Sequence, residues 1–210
     1  MNIPSRRLHG LYALTDSGLT AGRPLTDAVA AAIRGGAHLV QYRDKSTDRV
    51  RRTRDAQALL DVCREHEVPL IINDDAALAG EIGADGVHLG REDAVLEEAR
   101  VQLGPRAIIG VSCYASLERA IAAEHAGADY VAFGSFFASP SKPQAVRAPH
   151  SLLTEARQRL NVPICAIGGI TPDNGAELLS AGADMLAVIS GLFAQKDIEA
   201  AAQRYARLFQ

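Results

Sequence analysis

The stretch Gly182-Ala183-Asp184-Met185-Leu186-Ala187-Val188 closes one helix-like segment and opens one apolar run. Three other stretches share its form: Gly36-Ala37-His38-Leu39-Val40, Gly83-Ala84-Asp85-Gly86-Val87 and Gly127-Ala128-Asp129-Tyr130-Val131. The glycine suits the position just past a helix, where φ is positive and a Cβ costs energy. Between these copies, Val68-Pro69 leads into Leu70-Ile71-Ile72 and Val162-Pro163 into Ile164-Cys165-Ala166-Ile167. Proline fits the first residue of a strand, where no ladder donor is required. The copies recur about every 45 to 55 residues, roughly two strand–helix units each.

Working outward, the pattern predicts eight strands, near residues 10–15, 39–43, 69–73, 86–90, 107–112, 130–135, 163–168 and 185–190. Helical stretches lie between them. Leu25, Val29, Ala32 and Ile33 form one apolar stripe, and Ile198, Ala201, Tyr205 and Leu208 another, both at helical spacing. Thr171-Pro172-Asp173 reads as an N-cap, an N1 proline and an acidic first turn. The strands are nearly continuous apolar runs, as expected when both faces are buried. Strict alternation of strand and helix gives a parallel sheet. An open doubly wound sheet would need edge strands with a polar face, and none is present. The expectation is therefore an α/β chain folded as a single (β/α)8 TIM barrel spanning residues 1–210.

The whole-chain numbers narrow the function. The chain has 210 residues, 48% hydrophobic and 22% charged, with a formal net charge of −3. That balance supplies no long-range positive field for nucleic acid or an anionic membrane. No segment approaches the roughly 20 apolar residues that a membrane span needs, and no signal-peptide pattern opens the sequence. Cys63, Cys113 and Cys165 are far apart with no Cys-x-x-Cys pair. Reduced thiols in a cytoplasmic protein are the expectation. Nothing in the sequence sets an oligomeric state. Only three of the 22 lysines and arginines are lysine, Lys45, Lys142 and Lys196. Lysine gives a compact point charge where arginine gives a planar fork.

A barrel does its chemistry at the carboxyl ends of its strands. After strand 2 comes Gln41-Tyr42-Arg43-Asp44-Lys45, whose alternation puts Gln41, Arg43 and Lys45 on the inward face with Leu39. Two cations converging there imply an anion. After strand 3 comes Asn73-Asp74-Asp75, and after strand 4 Gly90-Arg91-Glu92-Asp93. Asp74 and Asp93, on adjacent strand ends, suit Mg²⁺ bridging to a pyrophosphate. The plain alternative is that both are helix N-caps. After strand 6, residues 133–143 are the longest irregular stretch and hold Ser139, Ser141 and Lys142. Gly168-Gly169 after strand 7 and Ser190-Gly191 after strand 8 lie where many barrels bind phosphate. His88, inside strand 4, reads as structural. There is no Ser-His-Asp arrangement and no dinucleotide fingerprint after strand 1. These features describe a barrel enzyme that binds two phosphorylated groups, one of them with Mg²⁺.

The sequence also resembles the thiamine-phosphate synthase family. The resemblance is carried by Tyr12-Ala13-Leu14-Thr15-Asp16, Gln41-Tyr42-Arg43-Asp44-Lys45, Asn73-Asp74, Ala84-Asp85-Gly86-Val87-His88-Leu89-Gly90, Gly110-Val111-Ser112, Ser139-x-Ser141-Lys142 and Ala166-Ile167-Gly168-Gly169-Ile170. It implies an enzyme that joins a pyrimidine diphosphate to a thiazole phosphate with release of pyrophosphate. It further implies that Gln41, Arg43, Lys45, Asn73 and Lys142 hold the pyrimidine diphosphate and that Asp74 and Asp93 ligate Mg²⁺. Ser112 would sit beside the pyrimidine, and Ser139, Ser141, Gly169, Ile189 and Ser190 would hold the thiazole phosphate. Lys142, Arg43, Lys45 and Ser112 are the implied catalytic set. Two departures stand out. The family's loop reads Thr-x-Thr-Lys, whereas this chain has Ser139-Pro140-Ser141-Lys142. Relatives that act as thiazole tautomerases carry a histidine after strand 5, where this chain has Cys113-Tyr114. The competing readings are such a tautomerase and a non-catalytic thiazole-phosphate-binding barrel.

Overall fold

The structure is a computed structural model describing residues 8–16, 18–19, 22–90, 95–138 and 147–210. Its strands are β1 (Gly10–Leu14), β2 (Ala37–Tyr42), β3 (Leu70–Asn73), β4 (Gly86–Leu89), β5 (Ile108–Tyr114), β6 (Tyr130–Gly134), β7 (Ile164–Ile167) and β8 (Met185–Val188). Each pairs in parallel with the next, and β8 pairs with β1 through Gly10–Met185, Leu11–Leu186, Tyr12–Ala187 and Ala13–Val188. The sheet is a closed barrel in chain order. The helices between the strands are α1 (Leu25–Arg34), α2 (Arg49–Glu65), α3 (Ala76–Ile82), α4 (Leu96–Leu103), α5 (Leu117–His125), α6 (Ser151–Arg159) and α7 (Gly175–Ala181). After β8 come the short α8 (Ser190–Phe193), α9 (Ile198–Ala206) and a final 3-10 turn, Arg207–Phe209. The barrel expected from the repeat is present.

Side-chain parity splits the strand residues into two layers. Tyr12, Leu14, Leu39, Ile71, Tyr130, Ala132, Cys165, Met185 and Ala187 fill the barrel itself. Their neighbours in sequence, such as Leu11, Val40, Ile72, Val131 and Leu186, face outward and pack under the helices. Both layers are buried, which is why the strands read as unbroken apolar runs.

The glycines of the recurring pattern do take positive φ: 102° at Gly36, 69° at Gly83, 94° at Gly127 and 120° at Gly182. The aspartates that follow them serve a purpose the pattern did not announce. Asp85 accepts a hydrogen bond from Leu70 N–H at 2.8 Å, Asp129 from Ile109 N–H at 2.8 Å, and Asp184 from Ile164 N–H at 2.9 Å. Each carboxylate at the foot of an even-numbered strand thus grips the preceding odd-numbered strand. In the first copy His38 replaces the aspartate, and its ring takes the space that a Cβ on Gly10 would need, 2.6 Å away.

Two expected details differ. Pro69 and Pro163 fall one residue before their strands, yet their carbonyls accept from Val40 and Val131 N–H at 3.1 Å each and so extend the ladder. Helix α7 starts at Gly175 rather than at Pro172. The segment from Thr171 closes on itself first, with Asn174 Oδ1 accepting from Thr171 N–H at 2.8 Å. The Asn174 side chain thus ties back to Thr171, and Asn174, not Thr171, stands at the N-cap of the helix.

Candidate active site

Gln41 shares the inward parity of Leu39 and is 1% exposed. Its Nε2 donates to the Tyr12 hydroxyl at 2.7 Å. From there a chain of buried polar groups crosses the barrel. Tyr12 Oη is 2.8 Å from Tyr130 Oη, Tyr130 Oη is 2.9 Å from His88 Nδ1, and His88 Nε2 is 2.9 Å from Ser112 Oγ. Burial pushes both phenols well above their ordinary pKa, so each stays neutral and keeps its hydrogen. The chain joins two candidate binding residues, Gln41 on β2 and Ser112 on β5, through three residues on β1, β6 and β4. It also explains how five polar side chains are tolerated inside a barrel, because each is partnered.

Arg43 lies just past β2. Its N–H donates to Thr15 Oγ1 at 2.9 Å, and its guanidinium stands 3.4 Å from Asp16. Thr15 N–H in turn donates to the Gln41 carbonyl at 2.9 Å, so the ends of β1 and β2 are tied around this arginine. Lys45 is exposed, farther along the loop. The expected alternation of Gln41, Arg43 and Lys45 on one strand face therefore stops at Gln41, because the strand ends at Tyr42. What turns the chain is Asp44, whose side chain is 2% exposed and accepts from Ser46 N–H at 2.7 Å and from Arg51 at 2.8 Å. Burial raises its carboxyl, but the Ser46 hydrogen bonds and the Arg51 charge outweigh that and hold it below the usual carboxylate range.

At the end of β3, Asn73 is half-buried and pairs in register with His88. Asp74 has a φ of 65°, and its N–H donates to the His88 carbonyl at 2.8 Å. The cap of α3 is Asp75, which accepts from Leu78 N–H at 2.8 Å and pairs with Arg52 at 2.8 Å. The capping alternative for Asp74 is thereby assigned to its neighbour. Among the described residues no group of three or more His, Cys, Asp or Glu gathers as a metal cage. Mg²⁺ needs no such cage when one or two carboxylates and substrate oxygens complete its shell. Asp74, a hard oxygen donor at a strand end and not the helix cap, fits that mode. Asp93, Ser139, Ser141 and Lys142 lie outside the described residues.

The ends of β7 and β8 frame a cleft lined by Gly168, Gly169, Ile189, Ser190 and Gly191 among others. A Cβ on Gly169 would meet the Ala138 carbonyl at 2.3 Å, and one on Gly191 would meet the Tyr205 hydroxyl at 2.3 Å. Tyr205 is held there by donating to the Ile170 carbonyl at 2.9 Å, and Asn174 Nδ2 donates to the Gly169 carbonyl at 3.1 Å. Three of the nine residues that line this cleft are glycine, so part of its wall carries no side chain. Gly169, Ile189 and Ser190 are thus brought together, whereas Gln41 and Ser112 stand at the two ends of the hydrogen-bond chain that crosses the barrel.

The residues missed from sequence are Tyr12, Tyr130 and His88. The signal was strand parity: Tyr12 and Tyr130 lie two residues from the inward-facing Leu14 and Ala132, and His88 alternates with the outward-packed Val87 and Leu89, while a polar group at an inward position needs a partner.

A closed parallel barrel with donors, a cation and carboxylates at its strand ends has the architecture of the (β/α)8-barrel enzymes. Residues 11–192 match the family described as thiamine monophosphate synthase. The chain is 55% identical over 205 residues to the thiamine-phosphate synthase of Nitrosococcus oceani, covering 98% of this chain and 94% of that one. It is 53% identical over 210 residues to that of Thioalkalivibrio sulfidiphilus, covering all of both. A solved thiamine phosphate pyrophosphorylase from Pyrococcus furiosus superposes with a TM-score of 0.84 at 34% identity, over 95% of this chain and 94% of that one. The chain belongs to the thiamine monophosphate synthase family, a family of transferases.

Proposed function

We propose that this chain is a thiamine-phosphate synthase, a single catalytic barrel of the cytoplasm that condenses 4-amino-2-methyl-5-(diphosphomethyl)pyrimidine with 4-methyl-5-(2-phosphoethyl)thiazole, or its carboxylated form, releasing pyrophosphate. What carries the reading is full-length family membership combined with two separate binding features on one rim. Gln41 beside Arg43 and Ser112 across the barrel stand at the two ends of one hydrogen-bond chain, and the cleft of Gly169, Ile189 and Ser190 lies between β7 and β8. No described helix is long and apolar enough to cross a membrane.

In this reading the thiazole nitrogen attacks with its own lone pair, so no general base is required. The aminopyrimidine stabilises a methylene cation, and departure of the leaving group leads. Mg²⁺ held by Asp74 and Asp93 would supply positive charge to the departing pyrophosphate. Arg43, Lys45 and Lys142 add cationic stabilisation, with Arg43 oriented by Thr15 and Asp16. Gln41 and Asn73 complete the diphosphate side and Ser112 meets the pyrimidine. Ser139 and Ser141 add hydroxyls to the thiazole-phosphate side. Asp93, Ser139, Ser141 and Lys142 enter through their places in the sequence and through the family resemblance, and lie outside the described residues. At the position of the tautomerase histidine, Cys113 is buried and Tyr114 is packed under Arg119, 5.6 Å from ring centroid to guanidinium carbon. Neither offers an imidazole.

Mixing both substrates with the protein and Mg²⁺ tests the proposal. Thiamine phosphate and pyrophosphate should appear in equal amounts. Binding of the thiazole phosphate without product would leave the non-catalytic barrel as the better reading.

A further inference from the structure

We infer that Gln41, Tyr12, Tyr130, His88 and Ser112 form one directional hydrogen-bond relay across the barrel, which fixes His88 as its Nε2–H tautomer and leaves the Ser112 hydroxyl as a donor toward the pocket. The inference rests on the proposed function only in naming what Ser112 would meet.

The direction follows from the first member. An amide nitrogen can only donate, so the Tyr12 oxygen accepts from Gln41 at 2.7 Å. The Tyr12 hydrogen then points to Tyr130, 2.8 Å away. Tyr130 has one hydrogen of its own, which goes to His88 Nδ1 at 2.9 Å. A neutral imidazole accepting at Nδ1 carries its proton on Nε2 and donates it to Ser112 Oγ at 2.9 Å. The serine oxygen is then an acceptor within the relay. Its own hydrogen is available to a lone pair outside, such as a ring nitrogen of an aminopyrimidine. Tyr12 and Tyr130 are 1% and 0% exposed, so water does not compete for either phenol. Turning the Tyr12–Tyr130 bond round would turn the two bonds beyond it as well and would leave the buried Tyr12 hydrogen without an acceptor, because Gln41 Nε2 offers none. Tyr12, Tyr130 and His88 are thus positioning residues that act through Ser112.

Nitrogen-15 NMR of histidine-labelled protein reads the tautomer directly, with the His88 signals assigned by their loss in His88→Gln. Protonation at Nε2 is expected, and protonation at Nδ1 overturns the relay's direction. Tyr130→Phe keeps the ring and cuts the chain at its centre. Turnover should fall about tenfold, the scale of one oriented hydrogen bond, with the thiazole-phosphate KM unchanged. On a Ser112→Ala background the same substitution should cost nothing further, whereas an undiminished second loss overturns the coupling. If the wild-type protein makes no thiamine phosphate, the functional reading fails and the His88 tautomer alone decides the relay.

Discussion

A Cβ on residue 110 would stand 2.0 Å from Cζ of Tyr130, so the bare inward face of Gly110 is the seat of the Tyr130 ring. That seat lets the phenol reach both Tyr12 and His88. Gly110→Ala should force the ring aside. The expected cost is about 1–3 kcal/mol, the usual scale of core overpacking, read as a lower urea midpoint with turnover reduced as well. An unchanged midpoint would show that the barrel absorbs the methyl elsewhere and that Gly110 does not set the ring.

Asp74 and Asp75 are neighbours with opposite expected phenotypes. Asp75 caps α3 and pairs with Arg52. Asp75→Ala should lower stability by about 1 kcal/mol, the cost of a lost cap, without altering the Mg²⁺ requirement. Asp74→Ala should raise the Mg²⁺ concentration for half-maximal activity. If Asp74→Ala leaves the Mg²⁺ titration where it was, the metal assignment falls.

These neighbours show where the sequence stopped being readable. Strand order and barrel closure were legible because glycine at positive φ and apolar runs are local features. So was the inward parity of Gln41. The choice between Asp74 and Asp75 as cap was not, since it depends on which residue takes a φ of 65°. The foot-of-strand grips of Asp85, Asp129 and Asp184 were visible only as a repeat, because their partners are 15, 20 and 20 residues away. The relay through Tyr12, Tyr130 and His88 joins strands far apart in sequence, and Tyr12 and Tyr130 are 118 residues apart. Parity gives the direction of each side chain but not the partner it meets.

Asp44 should make stability depend on acid. Its folded-state pKa is depressed, so its contribution is complete above the ordinary carboxylate range and disappears as pH falls through the folded value. The urea midpoint of the wild-type protein should therefore drop on acidification from neutral pH, and Asp44→Asn should drop less over the same range. At neutral pH Asp44→Asn should already be the less stable, having lost the charge that holds Arg51. Parallel profiles for the two proteins would remove Asp44 as a source of the dependence.

Gly169 tests the thiazole-phosphate side separately from the relay. Its φ is 63°, and a Cβ there would meet the Ala138 carbonyl at 2.3 Å. Left-handed backbone costs a non-glycine residue roughly 1–2 kcal/mol before any clash is added. The turn between β7 and α7 should therefore move in Gly169→Ala, and with it the backbone wall facing Ser190. Steady-state kinetics should show the thiazole-phosphate KM rising about tenfold or more, the equivalent of that strain, while the pyrimidine-diphosphate KM stays put. That asymmetry is the informative part. A loss shared equally by both substrates would mean that the rim is one continuous site, and that the cleft between β7 and β8 does not bind one substrate on its own.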